Sequence, residues 1–172
     1  MREALLELSY EGLVAITPRS AITVVGVTPE DATDSFAILA ALAGLAAEMA
    51  AARITPAELA ELRALAVAID DADDVVGANR RFHRAVNLAA RSPRLVTHLR
   101  QAVCVVPGNY FELFPEQERQ SRLEHAELLD AIERGDGHTA RTVAEAHVRT
   151  AGEALGGWLA EVSTQRNPAR SH

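Results

Sequence analysis

Histidines are the residues of this sequence best suited to bind a metal ion or exchange protons near neutral pH. Of the six present, three fall within apolar stripes of predicted helices. Asn79 and His83 are four residues apart, so they share one helix face. The apolar residues that recur at helical spacing are Val76, Phe82, Val86 and Ala90 around His83, Leu128, Leu129 and Ile132 around His125, and Val143, Ala144, Ala151 and Leu155 around His147. Three predicted helices therefore each direct one imidazole towards the core.

Two interpretations of these buried imidazoles remain open from the pattern alone. Each could be a core histidine that hydrogen-bonds to a backbone carbonyl or a neighbour. Alternatively, the three could share a metal ion, which would satisfy all of them in a core where unpaired polar groups are costly. Facing helices of bundles do build such sites. Imidazole suits zinc, nickel, copper or iron, and Asn79 would add a neutral oxygen.

The other histidines carry no predicted role. His98 is surrounded by polar and basic residues, which indicates a surface position. His138 follows a Gly-Asp-Gly turn, and His172 is the last residue.

Catalytic patterns are absent from the sequence, which predicts that the chain is not an enzyme. It contains no nucleophile motif, no glycine-rich phosphate loop and no His-Glu-x-x-His pattern. Glu124 precedes His125, but adjacent helix residues point about 100° apart. We therefore do not expect Glu124 to serve the same site as a base.

Composition places the chain among cytoplasmic globular proteins. Hydrophobic residues make up 48% and charged residues 24%, and no uncharged apolar run reaches about 18 residues. We expect no membrane span and no signal peptide. The single Cys104 excludes an internal disulfide framework and a multi-cysteine zinc site. The net charge of −7 is unfavourable for DNA binding by this chain alone.

Helix capping signals divide most of the chain into six predicted helices. Threonine-proline pairs at Thr28 and Thr55 predict two helix starts. The remaining starts are an acidic run at 71–74, Ser92-Pro93, a position near Pro115, and Asp136 after Gly135. The predicted fold is an all-α six-helix bundle over residues 28–163, with a flexible tail at 164–172.

Residues 1–27 differ from this pattern. Residues 2–11 predict a short helix that ends at Gly12. The β-branched runs at 13–16 and 21–25 flank a turn at 17–20 and predict a small β-hairpin.

The sequence also resembles a known family. The motifs that carry the resemblance are NRRFHRAV at 79–86, SPRL at 92–95, EHAELLDAI at 124–132, Gly-Asp at 135–136, then Ala140 and His147. Together they resemble the FCD effector domain of GntR-type transcription regulators. The order and gaps match across residues 29–163. Residues 2–14, with Pro18, are similar to the recognition helix and wing of the GntR winged helix-turn-helix, so the chain is expected to begin within a recognition helix.

The resemblance implies a ligand set, a cofactor and partners. It maps metal ligands onto Asn79, His83, His125 and His147, with zinc or nickel as the first expectation and manganese or iron as alternatives. A small organic acid or other metabolite would bind beside the metal in a homodimer, without a membrane.

The resemblance also implies contacts with operator DNA. These would involve Arg2 and Arg19, and only in a chain that has the first two helices of the DNA-binding module.

Departures from the family pattern concern both the metal and the ligand pocket. Asn79 replaces the usual aspartate, and Ser20 replaces the usual wing glycine. Leu39 stands where members usually have an arginine, and Ala43 where they have a glutamate. Arg80 and Arg84 are then the candidate cations beside a pocket partly walled by Leu39.

Three functions are compatible with these observations. The first is effector sensing within a transcription regulator. The second is a stand-alone metal-dependent small-molecule-binding protein that does not bind DNA, and that titrates full-length relatives by forming mixed dimers. The third is a small metalloenzyme, which has no evident acid or base beside the histidines.

Overall fold

The computed structural model describes residues 14–17, 21–24, 28–70 and 72–166. Two short strands, β1 (Val14–Thr17) and β2 (Ala21–Val24), pair antiparallel. Val14 is opposite Val24, and Thr17 is opposite Ala21. The predicted helix at 2–11 lies outside the described residues.

Helices form the rest of the described chain, which confirms the predicted all-helical bundle. They are α1 (Pro29–Arg53), α2 (Pro56–Asp70), α3 (Val75–Ala89), α4 (Pro93–Ala102), α5 (Tyr110–Leu113), α6 (Pro115–Glu133) and α7 (Gly137–Arg166). One 3-10 turn, Val103–Val105, follows α4. The one-turn helix α5 was not predicted, and α7 continues beyond the predicted end of the bundle into the segment that was expected to be a flexible tail.

Side-chain caps explain why the helices begin where they do. The Thr28 hydroxyl accepts a hydrogen bond from the Asp31 backbone N–H at 3.0 Å, and the Asp31 carboxylate accepts one from the Thr28 N–H at 3.0 Å. Thr55 and Glu58 form the same reciprocal arrangement at α2. These bonds satisfy N–H groups that have no partner within the helix. The starts of α3, α4 and α7 are capped by Asp74, Ser92 and Asp136.

The most extensive contact in the bundle is between α1 and α7. The α1 face contains fully buried alanines, and α7 contributes Gly152 opposite Phe36. A Cβ added at Gly152 would lie 2.4 Å from the Cβ of Phe36. Small side chains are therefore required for the two helices to approach this closely.

By length and composition alone, α1 is apolar enough to cross a membrane. Its alanine-rich face is instead covered by the bundle. Glu48 of α1 forms an ion pair with Arg141 of α7 at 3.0 Å. The alanine-rich face of α1 is therefore part of the bundle core.

A main apolar cluster joins the helices that carry the three inward-pointing histidines. It includes Phe82 of α3, Leu128 and Ile132 of α6, and Val143 of α7, with contributions from α1 and α2. This core holds α3, α6 and α7 against one another.

Candidate metal centre

The three predicted histidines meet at one point of the bundle. His83 lies on α3, His125 on α6 and His147 on α7. The Nε2 atom of His83 is 3.1 Å from Nε2 of His125 and 3.2 Å from Nε2 of His147. The three ligand atoms all lie within 4.8 Å of one another.

Hydrogen bonds alone do not satisfy this arrangement. A neutral imidazole nitrogen either carries one proton or offers one lone pair. Nε2 of His83 can therefore make one good hydrogen bond, yet it has a nitrogen neighbour on each side at hydrogen-bonding distance. In one of the two contacts, two buried nitrogen atoms would therefore lie close together without a hydrogen bond between them.

The spacing fits ligands of a common metal ion. Bonds of about 2.0–2.1 Å from zinc to imidazole nitrogen, at angles of about 90–110°, place two ligand nitrogens about 2.8–3.4 Å apart. The distances of 3.1 and 3.2 Å from His83 fall in this range. The donor set is that of zinc, nickel, copper or iron.

Asn79 provides a second observation that favours a bound cation. Its Oδ1 atom is buried and has no hydrogen-bond partner among the described residues. Asn79 precedes His83 by one helical turn on α3, so both side chains lie on the same face. A buried amide oxygen without a donor is costly, and coordination of a cation would satisfy it.

Glu124 corrects an expectation from the sequence. It was not expected to serve the histidine site as a base, yet its Oε2 atom is 2.7 Å from Nδ1 of His147. Its Oε1 atom accepts a hydrogen bond from Nε2 of Gln120 at 2.9 Å. The angle of about 100° between adjacent helix residues separates Glu124 from His125 on the same helix. It does not prevent the glutamate side chain from contacting His147 on α7. The sequence contained no signal for this contact, because it depends on how α6 and α7 pack.

Burial controls the protonation of the cluster. Burial, and then the nearby charge of His147, lowers the pKa of His83 to about 3. Burial, followed by the charges of His83 and His147, also lowers the pKa of His125. Both imidazoles are therefore neutral near pH 7, which is the form that binds metal ions.

Aromatic rings hold part of the site in place. The centroid of the fully buried Phe82 ring lies 4.5 Å from that of His125. The hydroxyl of Tyr110, on α5, donates a hydrogen bond to the Ala151 carbonyl on α7 at 3.1 Å. Burial, and then the charge of Glu124, raises the pKa of Tyr110, so its hydroxyl keeps its proton.

The other residues singled out from the sequence lie elsewhere or outside the described part. Leu39 is 6% exposed and belongs to a second apolar cluster with Phe36 and Leu95. Arg80 and Arg84 are exposed, so neither is an inward-turned cation. His98 and His138 are also exposed, as expected. Arg2, Arg19, Ser20 and His172 fall outside the described residues.

Most of the helical bundle matches a known protein family. Residues 34–150 match the model of the FCD domain. The chain belongs to the FCD-domain family of GntR-type transcription regulators. The histidine cluster therefore lies within an FCD domain, since all three residues fall inside the matched range.

Solved structures share the fold of this FCD protein. Escherichia coli McbR/YncC is 25% identical with a TM-score of 0.71, covering 92% of this chain and 83% of that one. A GntR-family transcriptional regulator from Pseudomonas syringae pv. tomato is 20% identical with a TM-score of 0.63, covering 93% and 70%. Lar, described as controlling expression of the Listeria monocytogenes agr system and mediating virulence, is 16% identical with a TM-score of 0.65, covering 90% and 78%. No curated protein sequence matches the chain.

Proposed function

We propose that this chain is the metabolite-sensing part of a cytoplasmic GntR-type regulator, and that it senses through a divalent metal ion. The observation that carries the proposal is the convergence of three Nε2 atoms from α3, α6 and α7 inside the FCD domain. His83, His125 and His147 would hold the ion, and Asn79 would add an oxygen. Zinc or nickel suits this nitrogen-rich set best.

The bound ion would supply a positively charged, Lewis-acidic position for the head group of a small organic acid. The chain's own residues determine the rest of the selectivity. Leu39 is buried in an apolar cluster, and Arg80 and Arg84 are exposed, so none of the three offers a cation beside the histidines. A second carboxylate would therefore lack a cationic partner, which favours a monocarboxylic ligand with an apolar body.

The regulatory part of the proposal involves DNA and a second subunit. We assign residues 1–27 to the end of a winged helix-turn-helix, and we infer that the chain forms a homodimer. Operator binding would require the complete DNA-binding module, because its first helices hold the recognition helix in the groove.

The test is a two-stage thermal-shift experiment. The purified chain is first stripped with a chelator and reloaded with zinc or nickel, and its metal content is measured by elemental analysis. The metal-loaded and metal-free forms are then compared with matched mono- and dicarboxylates of equal chain length. We expect metal to raise Tm, and monocarboxylates to raise it further only in the loaded form. Absence of metal after reloading would contradict the metal centre, and preferential stabilisation by dicarboxylates would contradict the pocket.

A further inference from the structure

We propose that Glu124 is a positioning residue of the metal centre, which holds His147 in the tautomer that presents a bare Nε2 to the ion. The inference rests on the proposed metal-dependent function. It concerns a residue outside the proposed ligand set, joined to that set by a single short contact.

Each of the two carboxylate oxygens of Glu124 has a side-chain partner at hydrogen-bonding distance. Oε2 of Glu124 lies 2.7 Å from Nδ1 of His147, a distance typical of a charge-assisted hydrogen bond. Oε1 accepts a bond of 2.9 Å from Gln120, one turn earlier on α6. The His147 and Glu124 side chains are only 11% and 18% exposed, so water competes weakly for this bond.

The carboxylate determines where His147 keeps its proton. A carboxylate accepts hydrogen bonds and donates none, and Oε2 of Glu124 lies 2.7 Å from Nδ1 of His147. Nδ1 of His147 must then carry the proton. An imidazole with a single proton at Nδ1 has a lone pair at Nε2, and Nε2 of His147 lies 3.2 Å from Nε2 of His83.

The same carboxylate compensates a missing charge. Asn79 and three neutral imidazoles give the proposed ligand set no negative charge. Among the described residues, Glu124 is the carboxylate that hydrogen-bonds to a member of this set. Its charge would stabilise a bound dication through the His147 ring, as partners of metal-bound histidines commonly do.

Zinc titration of the full chain by competition with a chromophoric chelator tests this role. We expect Glu124→Leu to weaken zinc binding about 10–100-fold. Glu124→Gln keeps an oxygen acceptor but loses the charge, so its effect should be smaller. Glu127→Gln, on the exposed side of the same helix, is the matched control and should bind as the wild type does.

A double-variant cycle separates charge compensation from general damage to the fold. Asn79→Asp adds a negative charge to the ligand set, so Glu124→Gln should cost less affinity in that background than in the wild type. Equal costs in both backgrounds would overturn charge compensation.

Nitrogen-15 NMR of the metal-free protein reports the tautomer directly. At about pH 8.5, where histidine is ordinarily neutral, His147 should be protonated at Nδ1 in the wild type. In Glu124→Leu it should shift towards the Nε2–H form that imidazole favours in water. A wild-type His147 protonated at Nε2 would overturn the positioning role.

The failure of this inference is distinguishable from failure of the proposed function. If the wild-type chain binds no zinc, the metal centre and this role are both wrong. If the wild type binds zinc and Glu124→Leu binds it equally well, the role of Glu124 alone is wrong.

Discussion

The Nε2 atoms of His83 and His147 lie 3.2 Å apart, although the two residues are 64 positions apart in the chain. Neither helix could place its imidazole there alone. The contact exists because α3 and α7 pack into one apolar core around Phe82 and Leu128.

Removal of any one of the three imidazoles should greatly weaken metal binding. We expect His83→Ala, His125→Ala and His147→Ala each to lower zinc affinity by about 100-fold or more, because each removes one of about four ligands. Elemental analysis after dialysis against limiting zinc measures the loss. His98→Ala changes an exposed histidine on α4 and should retain full metal content. An unchanged content in any of the three core variants would remove that residue from the site.

Asn79→Asp should strengthen metal binding. It replaces a neutral amide oxygen by a carboxylate beside the proposed dication, without changing the length of the side chain. Calorimetric titration with zinc would measure the change in Kd. The metal-free variant should be less stable than the wild type, because Asn79 Oδ1 is already buried without a partner and a charge there is costlier still. Equal or weaker zinc affinity would mean that Asn79 is not a ligand and that the centre consists of three histidines and water.

The metal-free protein should lose stability as the pH falls below about 6.5. Burial lowers the pKa of His83 to about 3 and also lowers that of His125, whereas both titrate near the ordinary value of 6.5 when unfolded. In this window the unfolded chain binds protons that the folded chain does not. Each of these two histidines therefore lowers the free energy of unfolding by about 1.4 kcal/mol for every unit by which the pH falls within this window.

Urea denaturation in the presence of a chelator, at pH values above and below this threshold, measures the effect. His83→Gln removes one of the two groups and should reduce the slope. A free energy of unfolding that stays constant across the window would show that these imidazoles are not held neutral.

Two glycines of α7 should respond in opposite directions to the same substitution. Gly152→Ala should destabilise the fold by about 1–3 kcal/mol, because the new methyl group would overlap Phe36 of α1. Gly157→Ala meets no atom within 4 Å and should stabilise the helix by up to about 1 kcal/mol. Thermal unfolding of the two variants, both with metal removed, compares them directly. Equal effects would mean that the close approach of α1 and α7 does not depend on Gly152.

Features encoded within a few residues were predictable from the sequence. The caps at Thr28 and Thr55 act over three positions, and the helices begin where those caps place them. The inward face of each histidine followed from the spacing of its apolar neighbours. These predictions needed no knowledge of how the helices pack.

Features that depend on packing between helices were not predictable. The short helix α5 contacts α7 through the hydrogen bond from the Tyr110 hydroxyl to the Ala151 carbonyl, and these residues are 41 positions apart in the chain. The contact of Glu124 with His147 spans 23 residues and joins two helices. Helical periodicity describes the direction of a side chain from its own helix, and it says nothing of which neighbour a long side chain can reach.

The uninterrupted length of α7 connects the histidine site with the beginning of α1. His147 and Gly156 lie on this one helix, about 13 Å apart along its axis. At Gly156 the backbone passes so close to the first turn of α1 that an added Cβ would lie 2.9 Å from the Thr33 hydroxyl and 3.5 Å from the Pro29 carbonyl oxygen. A change in the tilt of α7 at His147 would therefore also move the first turn of α1, which begins at Pro29, five residues after β2 ends at Val24. The histidine site and the first turn of α1 are thus joined through one continuous helix.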